Sequence, residues 1–179
     1  MKKILISAFK PFYKSINNYS MEVINFISSN NYIIKKEIID VVYDECFIEL
    51  SNKNNLDEYD LIIALGEARS RKDLTMEKIG HNISSCSITD NKGILKQNEK
   101  ILVNNKEELY TNLDIQKCIN YADISLDAGK FVCNNLYYHL LNYNPNKTLF
   151  IHIPDCNNDI NLYKKYADDI ISIIDLLLK

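Results

Sequence analysis

Along the chain, unbroken apolar runs alternate with segments in which apolar residues recur every three or four positions. "KILISAF" (3–9) is a continuous apolar run stopped by Lys10-Pro11, the pattern of a strand covered on both faces. Ser20 stands where a helix cap belongs, ahead of "MEVINFISS" (21–29), whose Val23, Ile24 and Ile27 share a face. "YIIKKEIIDVV" (32–42) is rich in β-branched residues and reads as a second strand. A helix through "ECFIELS" (45–51) and the polar "NKNNLDEYD" lead to a third strand, "LIIALG" (61–66). Such a β-α-β-α-β alternation predicts a parallel sheet with helices packed on its faces.

The middle is less regular. "LTMEKIGHNIS" (74–84) fits a strand with its turn, and "ITDNKGILK" carries a turn at Asp90–Gly93. "KEELYTNLDIQKCINY" (106–121) reads as a helix, and "ADISLDAG" (122–129) as a short link into the next one, "AGKFVCNNLYYHLL". In that helix Cys133 lies in the first turn, with Leu136, Tyr137 and Leu140 following at i+3, i+4 and i+7. "TLFIHIP" (148–154) reads as a last buried strand and 162–178 as a terminal helix. With no linker or repeat, residues 1–179 are expected to form one α/β domain: a three-layer α/β/α sandwich around a mostly parallel, twisted sheet.

Composition narrows the function. Hydrophobic residues are 46% and charged residues 25% of the 179, which excludes disorder as the main state. A net charge of -3 with lysines spread along the chain argues against a nucleic-acid partner, since phosphate contact needs a concentrated basic surface. The start "MKKILISAF" is too short in its apolar run for a signal peptide, which needs about 7 to 15 such residues. "IISIIDLLL" is interrupted by Asp175 and falls below the ~18 residues of a membrane span. A soluble, cytoplasmic protein with no membrane partner is expected. Five cysteines without regular spacing make no disulfide framework. The absence of Cys-x-x-Cys and His-x-x-x-His leaves no metal site to expect, and no cofactor is implied.

Three residues stand out against this background. Cys133 faces the unpaired N–H groups and positive end of a helix, both of which favour thiolate; the competing reading is a small core residue. His152, inside an apolar strand, is either a hydrogen-bonded core group or a functional one. Glu77 has Leu74, Met76 and Ile79 around it and needs a partner, for which a lysine salt bridge would serve. In open α/β sheets the loops at strand carboxyl ends gather on one edge, and "ALGEARSRKDLTME", "IHIP" and the Cys133 helix are all expected there.

Taken together, "ILISAFKPF", "ALGEARSRKDLTMEKIGHNI", "AGKFVCNNLYYHLL" and "FIHIP" resemble, in order, the four signature regions of the pyroglutamyl peptidase I family. The resemblance implies a phosphorylase/hydrolase-like fold and a cysteine peptidase acting on small peptides with an N-terminal pyroglutamate. It puts Cys133 on the nucleophile, His152 on the general base and Glu77 on the carboxylate that orients the histidine. Phe9 and Phe12 match the paired aromatics of the family's "GFEPF", and Asn18 falls where the family has Asn-Pro-Ser. A homo-oligomer, dimer or tetramer, is implied as well.

The family's "GQAGGR" is "GEARSR" in this chain: Arg71 is kept, Glu67 replaces glutamine, and Arg69-Ser70 replace two glycines. Glu67 and Arg71 join the expected substrate contacts. Ten residues after Glu77, Ser87 stands where the family carries an arginine credited with holding the oxyanion, and "CINYADISLDAG" is shorter than the family's equivalent. These departures leave two alternatives beside the peptidase. One is a divergent binding or regulatory protein with little turnover; the other is a cysteine amidase acting on another small acyl or cyclic group.

Overall fold

A computed structural model describes residues 1–179. Four strands run parallel: β1 (Lys2–Phe9), β2 (Tyr32–Ile39), β3 (Leu61–Glu67) and β8 (Thr148–Ile153). β4 (Thr75–Glu77) joins β8 antiparallel, and β7 (Asp123–Ser125) closes the edge parallel to β4, giving the order β2-β1-β3-β8-β4-β7. The C-terminal strand therefore sits inside the sheet, between β3 and β4. A separate ribbon pairs β5 (Ile79–His81) with β6 (Glu108–Tyr110).

Side chains alternate across a strand, so an apolar run without a break feeds two cores. From β1, Ile4, Ile6 and Ala8 pack with Ile63, Leu65 and Ile151 against helices α1 (Tyr19–Phe26) and α4 (Ile160–Leu177). Leu5 and Phe9 turn to the opposite face with Ile62, Ala64 and Phe150, under α2 (Glu45–Lys53) and α3 (Val132–Tyr143). Helix layer, sheet and helix layer are the expected α/β architecture. No helix is long and apolar enough to cross a membrane.

Three local readings need correction. The cap of α1 is Asn18, two residues before Ser20: its side chain accepts from the Ser20 N–H at 3.0 Å, and Ser20 is already inside the helix. Residues 106–121 form no continuous helix; they hold β6 and a 3-10 turn at Ile115–Cys118. Leu109 packs toward the α3 core, while Ile115 and Cys118 are buried in the α4 core, a division that one straight helix cannot make. Between them the backbone is held by the Pro145–Thr148 segment, through Asn112 N–H to the Pro145 carbonyl (2.9 Å) and Thr111 Oγ1 to the Thr148 carbonyl (2.7 Å). The link 122–129 also contains a strand, β7, because Thr75–Glu77 leaves an edge that Asp123–Ser125 pairs with.

Candidate active site

β1, β3 and β8 end on the same edge of the sheet, and α3 starts above it. Gly66, near the end of β3, pairs with His152 on β8, and a Cβ built on Gly66 would stand 2.8 Å from Cys133 Sγ and 2.7 Å from the Phe150 ring. The sulfur thus rests over bare backbone beside His152, and only glycine permits that approach. His152 and Phe150 share the α3 face of β8, with ring centroids 4.9 Å apart. Because β4 runs antiparallel to β8, Glu77 is registered opposite Phe150, diagonal to His152. The diagonal is spanned by a hydrogen bond of 2.7 Å between His152 Nδ1 and Glu77 Oε1.

Glu77 is 0% exposed and His152 4%, so the pair works at low dielectric, where a hydrogen bond is strong and an unpaired charge costly. With Nδ1 on the carboxylate, Nε2 is unpartnered and open to a cavity of ≈ 350 Å³. Cys133 opens to the same cavity. Its backbone N–H, in the first turn of α3, makes no hydrogen bond to another residue, as is usual for the first donors of a helix. The thiol departs from expectation: burial first, then the Glu77 and Glu67 carboxylates, pushes it up to about 12. Burial thus favours the neutral thiol.

Phe9, Phe12, Asn18, Glu67 and Arg71 all line this cavity with Cys133 and His152; Glu77 lies behind them. Phe12 packs on Phe131 with centroids 5.7 Å apart, and Tyr43 meets Phe131 edge-on at 5.5 Å. The polar members are largely committed within the chain. Asn18 Nδ2 donates to the Lys10 carbonyl (3.1 Å) while Oδ1 caps α1. Glu67 Oε2 accepts from the Tyr19 N–H (2.8 Å) and Oε1 from Arg69 Nε (2.8 Å). Glu67 and Arg69, both departures from the family's pattern in "GEARSR", are therefore one compensated pair. Arg69 also reaches Ser15 Oγ at 3.1 Å and covers the Tyr19 ring.

Arg71 is set differently from the other contacts. Its Nη2 donates to Glu77 Oε1 (3.0 Å), Ser125 Oγ (2.9 Å) and the Asp127 carbonyl (2.7 Å). Ser87 is exposed and does not line the cavity. The wall also includes Val41, Phe131 and the Asp127–Lys130 turn, which sequence reasoning did not single out. The only signal for that turn is Asp127-Ala128-Gly129, where Asp127 Oδ1 accepts from the Gly129 N–H at 2.9 Å and Gly129 has φ +78°. No group of His, Cys, Asp and Glu side chains is arranged to hold a metal ion.

Comparison with known proteins bears on this geometry. The family described as pyroglutamyl peptidase matches residues 2–168. A pyrrolidone-carboxylate peptidase of Lactobacillus acidophilus is 33% identical over 169 residues, 85% of this chain and 83% of that protein. One of Thermosipho melanesiensis is 28% identical over 172 residues, 88% and 85% of the two chains. Among solved structures, the pyrrolidone carboxyl peptidase of Thermococcus litoralis superposes with a TM-score of 0.90 at 23% identity, over 99% of this chain and 94% of that one.

Proposed function

The chain belongs to the pyroglutamyl peptidase family, and from that premise we propose that it removes N-terminal pyroglutamate from small peptides with Cys133, His152 and Glu77. The observation that carries the reading is the His152 ring, hydrogen-bonded to Glu77 at Nδ1 and open at Nε2 to the cavity that Cys133 shares. That tautomer makes Nε2 the acceptor for the thiol proton. As the proton leaves, Sγ attacks the carbonyl joining the lactam ring to the next residue, and the oxyanion forms within reach of the Cys133 N–H. The imidazolium then protonates the leaving amine, the C–N bond breaks, and a thioester remains. Water, deprotonated by His152, attacks the thioester and releases pyroglutamate and the thiol.

Because the resting thiol is neutral, proton transfer belongs to the attack itself. The small flat ring fits against the apolar wall that Phe9, Phe12 and Phe131 give the cavity. A cytoplasmic location and assembly into a dimer or tetramer go with this reading, and sedimentation velocity tests the assembly.

Hydrolysis of a fluorogenic pyroglutamyl amide under reducing conditions, with Cys133→Ala as control, tests the activity. Turnover that disappears in the variant is the expected result. With Ser87 away from the cavity, one oxyanion donor fewer predicts a kcat on the order of 100-fold below an enzyme that has it. A folded protein with no activity above the control would refute the peptidase and favour an amidase for another small acyl group, or a binding protein.

A further inference from the structure

Glu77 Oε1 serves two donors while Oε2 is buried with no partner at all. A carboxylate in that position is costly to keep ionised unless a full positive charge stands against it. Arg71 supplies it at 3.0 Å, and the same nitrogen reaches Ser125 Oγ and the Asp127 carbonyl. Those two acceptors belong to a tight turn, closed by the Asp127 N–H on Ser125 Oγ (3.0 Å), that runs straight into α3 and Cys133.

We infer that Arg71 is a positioning residue of the reaction proposed above: one guanidinium stands against the Glu77 carboxylate and fastens it to the turn that delivers Cys133, so base and nucleophile are held in one frame. The inference rests on that reading of the site. Other charged or titratable groups around the Glu77–His152 pair are Glu67 from β3, Cys133 and Tyr137 from α3, and Asp127 and Lys130 from the turn. Tyr137 donates its hydroxyl to the Glu77 carbonyl at 2.6 Å and brings no charge. Among them Arg71 is the cation bonded to the Glu77 carboxylate.

The test compares wild type, Arg71→Gln and Arg71→Lys. Loss of the cation leaves the Glu77 charge unopposed and favours the imidazolium. In Arg71→Gln the acid limb of kcat/KM for the pyroglutamyl amide should therefore move about one unit or more to higher pH. The loosened frame should lower kcat by about 10- to 100-fold with KM nearly unchanged. Arg71→Lys keeps the charge and should restore the limb while kcat stays low. A raised KM with the limb in place would make Arg71 a substrate contact and overturn the inference. The His152 ring signals, identified among three histidines by their loss in His152→Gln, report the same movement by NMR without substrate. Inactive wild type would refute the peptidase, whereas ring signals titrating alike in wild type and Arg71→Gln would refute the role of Arg71. Should Arg71→Gln not fold, Ser125→Ala removes one anchor and keeps the charge; undiminished kcat there would refute the fastening.

Discussion

Cys133, His152 and Glu77, the residues proposed to carry the reaction, stand out in the chain because their residue types sit in short distinctive stretches. Gly66 does not, although the site depends on it as much. Its role comes from register, Gly66 opposite His152, and from the descent of α3 onto β3, neither of which is local in sequence. Arg71 is a similar case: the motif marks the residue, but only the fold shows its Nη2 on Glu77. The Gly66 reading is testable. Gly66→Ala should displace both Sγ and the Phe150 ring, which a Cβ would approach to 2.8 and 2.7 Å. Overpacking of this kind costs about 1–3 kcal/mol, seen in urea unfolding, and a shift of about 1 Å at the sulfur lowers turnover on the order of 100-fold. Wild-type kcat in Gly66→Ala would mean that the sulfur has room to spare.

Strands β1, β3 and β8 and helix α3 are legible as elements because each pairs an unambiguous period with a sharp stop, such as Lys10-Pro11 after β1. Where apolar residues serve two cores in turn, as in 106–121, period alone misleads and the partner segment decides. Helix α1 shows the same dependence at finer scale. Its start is tied by Asn18, which also holds the Lys10 carbonyl, and by Glu67, which reaches across from β3 to the Tyr19 N–H. One end of β1, one end of β3 and the first turn of α1 are thus bound together under the cavity. Asn18→Ala should cost about 0.5–2 kcal/mol, the range for losing a helix cap, with a lower kcat/KM because Asn18 lines the cavity. Asn18→Asp keeps the cap and loses the bond to Lys10, so it should fall between the two in thermal melts. Equal melts for all three would remove Asn18 from the framework.

At the scale of the molecule, the two cores carry a large set of buried acids that are neutral when folded. Burial pushes the Cys133 and Cys156 thiols and the Tyr163 and Tyr166 phenols up to about 12, against about 8.5 and 10 in an unfolded chain. A group whose value is raised by folding stabilises fully below its unfolded value and loses that contribution as pH climbs toward the folded one. Melting temperature should therefore hold to about pH 8 and fall steadily from about 9 to 12, and a flat profile across that range would contradict the burial of these groups. The parallel sheet and its helices were readable as a class from the alternation of elements; the order β3-β8-β4 was not, because nothing local says that the last strand belongs in the middle. That placement has a consequence for the chain as it is made. Until residues 148–153 have left the ribosome, β3 and β4 have no common neighbour, and the sulfur of Cys133 and the carboxylate of Glu77 have no imidazole between them. Before that strand emerges, the nascent chain carries the proposed nucleophile without its proposed base, and bringing the two together is the same event as closing the sheet.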